Sequence, residues 1–161
     1  MPELLAWLEA SALGHAMRGA GLWSYGVVNL VHILGVATLF GSVLALDLRL
    51  LGAWSRVPLA SISGPTVPLA AAGFCVAAPT GLCMLATNAS EYVGNPFLLI
   101  KFPAIGLALA NAAVLSFVPA WRTRATREPA AGERRALAAF SGVSLAAWLT
   151  AVAAGRLIGY W

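Results

Sequence analysis

In a chain that is otherwise oily, Asn29, His32, Thr80, Tyr92, Lys101 and Arg156 stand out as side chains that could do chemistry, with His15 near the N-terminus beside them. An imidazole such as His32 can ligate haem iron or another metal, carry a proton, or be satisfied by hydrogen bonds across helices to Thr80 or Asn29. Lys101 and Arg156 are natural partners for carboxylates, whether haem propionates or an acidic substrate. Haem held by two imidazoles would use His32 and His15. Met17 or Met84 could supply a thioether instead, and His32 alone would leave a coordination position open for reaction. Cys83 and Met84, with Met17 or His15, are soft enough for Cu(I). Cys75 and Cys83 stand about 12 Å apart along one helix, too far for a disulfide, and both read as small buried apolar residues. The sequence has no phosphate-cradling glycine loop, no paired intramembrane carboxylates and no nucleophile with a matching base.

The elements that must position these groups follow from composition. Of 161 residues, 60% are hydrophobic and 10% charged, against about 25% charge in a soluble domain. That excludes an ordinary soluble enzyme, a disordered tail and a disulfide-stapled module, and leaves an integral membrane protein. Crossing a bilayer takes about 20 mostly apolar residues, and four stretches qualify: about 24–46, 66–87, 97–119 and 136–158. Residues 2–17 read as an amphipathic helix, with Leu4, Leu5, Trp7, Leu8 and Ala12 on one face. It would lie along the membrane surface or pack on the bundle. The expectation is one all-α membrane domain over residues 1–161, a four-helix bundle with an N-terminal interfacial helix. Small residues every fourth position, Ala37–Gly41–Ala45 and Gly73–Ala77–Gly81, suit close helix packing in lipid.

Arginine sets the expected orientation. Arg49, Arg56, Arg122, Arg124, Arg127, Arg134 and Arg135 fall in or beside the first and third connections, which should therefore be cytoplasmic, with both termini and the Glu91 loop outside. The net charge of +4 is then a matter of topology and anionic lipid, with no nucleic acid involved. On this topology His32 lies roughly 12 Å below the outer boundary, Thr80 roughly 10 Å and Lys101 roughly 6 Å, with Arg156 a turn from the outer end. Polar residues from all four spans thus share one half of the bilayer, where ionisable groups mark sites or pathways.

The run Asn29–Gly35, through Phe40–Gly41–Ser42 to Asp47–Gly52, resembles a family of short bacterial inner-membrane proteins of unknown function. The same holds for Gly73–Phe74, Thr80–Gly81, Glu91–Phe97 and Lys101. More distantly, the layout is similar to HemJ-type membrane protoporphyrinogen oxidases, copper-resistance D proteins and small b-type cytochromes. His32, Pro68 with Gly81, and Tyr92 with Lys101 stand where the HemJ-type pattern has its histidine, its Pro and Thr-Gly, and its aromatic loop leading to a lysine. The resemblance implies haem binding at His32 and an activity role for Lys101. The chain departs from that pattern in carrying Asn29 where it has a lysine, and Asp47-Leu48-Arg49 where it has Pro-Arg.

The expected function is a haem-b-binding redox protein of the bacterial inner membrane. Asn29, His32, Thr80, Tyr92, Lys101 and Arg156 would line its site, and a quinone, a porphyrin or a periplasmic electron carrier would be its partner. The alternatives are an accessory subunit of a larger membrane complex, homo- or hetero-oligomeric, and a copper or proton transport protein.

Overall fold

In the computed structural model, which describes Pro2–Trp161, the chain is helical almost throughout, with no strand among the described residues. The helices are α1 (Pro2–Glu9), α2 (Ala12–Gly19), α3 (Gly21–Leu50), α4 (Leu59–Thr87), α5 (Pro96–Phe117), α6 (Pro119–Arg122) and α7 (Ala131–Leu157). Short 3-10 turns occupy Ala89–Tyr92 and Ile158–Tyr160. Four helices, α3, α4, α5 and α7, are long and apolar enough to cross a membrane, so the expected all-α membrane class is what forms. Only 17% of the most apolar stretch in each of the first three spans is buried, and 28% in the fourth. Side chains such as Leu30, Ile33, Leu34, Leu107, Val114 and Leu149 face outward, a surface that a bilayer solvates and water does not.

Contacts divide the chain into two compact units, Met1–Leu39 with Ala71–Asn95, and Phe40–Ala70 with Pro96–Trp161. In the first unit the N-terminal segment is two helices rather than the single one expected over 2–17. The chain breaks at Ala10–Ser11, where the Ser11 hydroxyl accepts from the Gly14 N–H at 3.3 Å and starts α2. The pair packs on the end of α4: Leu5, Gly14 and Met17 are buried, and a Cβ at Gly14 would lie 2.8 Å from the Ala86 carbonyl oxygen. The Glu9 carboxylate accepts from the Ser90 N–H at 2.6 Å, and Arg18 donates to the Thr87 carbonyl at 3.0 Å.

In the second unit, Leu50, Leu59, Ala120, Trp121 and Leu137 form a buried cluster. Helix α3 runs four residues beyond the expected end and stops at Gly52, whose φ of 113° suits a residue with no Cβ. There Ala53 N–H bonds to Leu48 O and Gly52 N–H to Arg49 O, the pairing of a Schellman cap. Helix α4 begins seven residues earlier than expected and absorbs the Ser61–Pro65 segment, whose Ser, Gly and Pro would by themselves suit a turn. The Glu128 carboxylate satisfies its first N–H, that of Leu59, at 2.6 Å. Likewise α7 starts five residues early, at Ala131, because Glu133 reaches back to the Ala130 N–H at 2.8 Å and pairs with Arg127 at 2.7 Å.

Candidate functional site

In the first unit α3 and α4 meet backbone to backbone. A Cβ at Gly73 would lie 2.5 Å from the Leu39 nitrogen, and one at Gly35 would lie 2.9 Å from the Ala77 nitrogen. Just beyond this contact, Pro79 deprives α4 of one N–H and disturbs its ladder. The Thr80 hydroxyl donates back to the Val76 carbonyl, one turn earlier, at 2.6 Å, which satisfies it within the helix.

His32 reaches across from α3 into this spot. Its Nδ1 lies 2.9 Å from the Ala77 carbonyl oxygen and 3.1 Å from the Thr80 hydroxyl. A carbonyl can only accept, so Nδ1 carries a proton in this contact. The ring lies on Gly81, where an added Cβ would stand 2.9 Å from its Cε1. His32 is thus half-buried and turned onto α4, with its ring oriented by the Ala77 carbonyl and the Thr80 hydroxyl.

Asn29, half-buried, sits one turn before His32 on the same face of α3. Tyr92 closes the 3-10 turn after α4, also half-buried. Burial, with Tyr25 and Glu91 adding to it, raises the Tyr92 phenol above its ordinary value and keeps it protonated at neutral pH. His15 lies elsewhere in the unit. It is exposed, with its Nδ1 3.4 Å from the Arg18 guanidinium, which also binds the Thr87 and Glu9 carbonyls. Thr87 is seven residues past Thr80, roughly 10 Å along α4. His15 therefore belongs to the end of that helix rather than to the level of His32.

Lys101 and Arg156 belong to the second unit. The Lys101 ammonium lies on α7 at Gly155, where an added Cβ would be 3.5 Å away, and it makes no ion pair among the described residues. Arg156 is exposed; it bonds the Tyr160 hydroxyl and stands 4.6 Å over that ring. Asn111 donates to the Phe140 carbonyl at 3.0 Å and so ties α5 to α7. Asp47, in the last turn of α3, is buried beside the Ser141 and Ser144 hydroxyls, and its Oδ2 has no hydrogen-bond partner among the described residues.

Cys75 is exposed and Cys83 half-buried, against the expectation that both are buried. No three His, Cys, Asp or Glu residues among those described gather closely enough to hold a metal ion. Sequence reasoning brought His32 and Thr80 together correctly. It missed the Ala77 carbonyl, which no residue type announces, and it did not expect the imidazole to rest on Gly81. No family model, curated protein or solved structure matches this chain.

Proposed function

We propose that the protein is a membrane-embedded redox protein that binds haem b through His32. The observation that carries this reading is the Nδ1–H bond from His32 to the Ala77 carbonyl. A metal-ligating histidine is characteristically held from behind in this way, which fixes the tautomer and makes the other nitrogen the better donor. The donor set fits haem iron with one protein ligand. It does not suit copper or zinc, which ask for several ligands together.

Bound haem would supply one-electron transfer. The chain's own part is positional. Ala77 and Thr80 hold the imidazole, Gly81 leaves room for it, and the protonated Tyr92 phenol offers a hydrogen bond in the same unit. A quinone, a porphyrin or a periplasmic electron carrier would exchange electrons with the site. The arginine distribution supports both termini lying on the side away from the cytoplasm, which in a bacterial inner membrane is the periplasm.

The test is a visible spectrum of the protein purified in mild detergent from haem-replete cells, oxidised and reduced. A Soret band that shifts on reduction and disappears in His32→Ala is expected. No band, or a band indifferent to that substitution, ends the reading.

A second reading has its own support. The glycine-mediated contact of α3 with α4 makes His32 equally suited to serve as a clamp in an accessory subunit of a larger complex. A colourless protein that co-purifies from native membranes with a fixed partner would establish it.

A further inference from the structure

The arginines of the second unit do more than spread over a loop. The end of α3, the start of α4 and the first turns of α7 enclose a groove of about 640 Å³, lined on its polar side by Arg49, Arg134, Arg135 and Glu128. The Arg49 side chain is 8% exposed. It is fixed by a 2.9 Å bond from Nε to the Val57 carbonyl and by a 3.2 Å bond from Nη2 to Glu128, neither of which uses its Nη1. Arg134 spends one N–H on the Pro129 carbonyl at 3.1 Å, and Arg135 is exposed on the same helical turn. Glu128 also spends one oxygen on the Leu59 N–H. Three guanidinium groups against one carboxylate leave the groove cationic, with N–H donors to spare.

Of the leucines that line it, Leu50, Leu59 and Leu137 belong to the buried cluster and Leu51 is exposed. The groove also lies where three spans end or begin, at Leu50, Leu59 and Ala131, the depth at which the hydrocarbon core gives way to headgroups. We propose that it is a binding site for an anionic phospholipid of the surrounding bilayer, its phosphate on the arginines and its acyl chains passing the exposed Leu51 into the hydrocarbon. Guanidinium forks match phosphate oxygens in pairs. A free phosphate would use the same donors, but nothing would hold it to the boundary of the hydrocarbon, where the groove lies.

Native mass spectrometry of the full chain, released from nanodiscs of equal parts phosphatidylglycerol and phosphatidylcholine, should show phosphatidylglycerol retained in preference. Replacing Arg134 and Arg135 together by alanine should weaken retention about 30-fold, from the loss of two charge-assisted hydrogen bonds to phosphate. The charge-matched pair Arg56→Ala with Arg122→Ala, both exposed and outside the groove, should leave most of it. Inorganic phosphate should displace little of the lipid. Equal retention of the two lipids by the unmodified protein overturns the proposal, whether or not any variant folds. So does an equal loss in the charge-matched pair, which would mean surface charge alone. Full displacement by phosphate would assign the groove to a soluble anion instead.

Discussion

The two units handle polar side chains inside a membrane protein in opposite ways. In the first, His32 and Thr80 are satisfied by carbonyls of α4, beside a proline and against glycines, and side-chain partners are few. In the second, Arg49, Glu128, Arg127 and Glu133 satisfy one another and cap helix starts. Backbone anchoring fixes one ring in one orientation, which is what a ligand site requires. Side-chain pairing fixes where helices begin and leaves donors over, which is what a charged surface needs. The comparison can be broken or sharpened by substitution.

The largest effect belongs to Gly73→Val. A Cβ there already falls 2.5 Å from the Leu39 backbone nitrogen, and backbone cannot step aside as a flexible side chain can. The cost should be about 3 kcal/mol, the upper part of the range for overpacking, seen as loss of monodisperse protein in detergent. Gly41→Ala, with nothing within 4 Å of the added carbon, should behave as the unmodified protein. Equal behaviour of the two would mean that α3 and α4 do not meet through Gly73.

Next is Arg49→Ala. It removes one of the two partners of the half-exposed Glu128 carboxylate and frees the Val57 carbonyl, at about 1.5 kcal/mol. Since Glu128 also caps α4, hydrogen exchange should rise at the first amides of that helix. An unchanged exchange profile would show that the Leu59 cap stands without the arginine. His32→Ala should cost less, about 1 kcal/mol, in line with interhelical hydrogen bonds in membranes. Gly81→Ala should disturb the ring while keeping its hydrogen-bonding atoms. If haem is bound, its spectrum should change in both, and a spectrum altered by neither would return His32 to a structural role.

Much of this was legible in the sequence because membrane spans are written in composition, and four apolar stretches need no tertiary information. The polar side chains of the first unit were also visible, since Thr80 and His32 stand at similar depth. What escaped had a different origin. The start of α4 depends on a carboxylate 69 residues away in sequence, so local Ser, Gly and Pro read as a turn. The Ala37–Gly41–Ala45 stripe has the right spacing, yet α3 meets α4 through Gly35 and the backbone of Leu39. Periodicity says that a face is small, and only the neighbour decides which face is used. Asp47 looked like a helix-end charge because its shelter, Ser141 and Ser144, comes from α7.

The smallest effect tests how the N-terminal helices are held. The Ser90 backbone N–H, then its side chain, and more weakly Arg18, keep the Glu9 carboxyl below its ordinary value of 4.5. A group depressed in the folded state contributes stability above its unfolded value and loses it as pH falls through the folded one. The attachment of α1 to the Ala89–Tyr92 turn should therefore be intact at neutral pH and loosen only below about pH 4.5. Glu9 is exposed, so water and salt screen the contact, and the effect should be confined to the exchange rate of the Ser90 amide, with the α3–α4 contact unmoved. Glu9→Gln should exchange at the loosened rate at every pH. An amide as protected at pH 3 as at pH 7 would mean that burial of Leu5 and Met17, not the carboxylate, keeps the two helices in place.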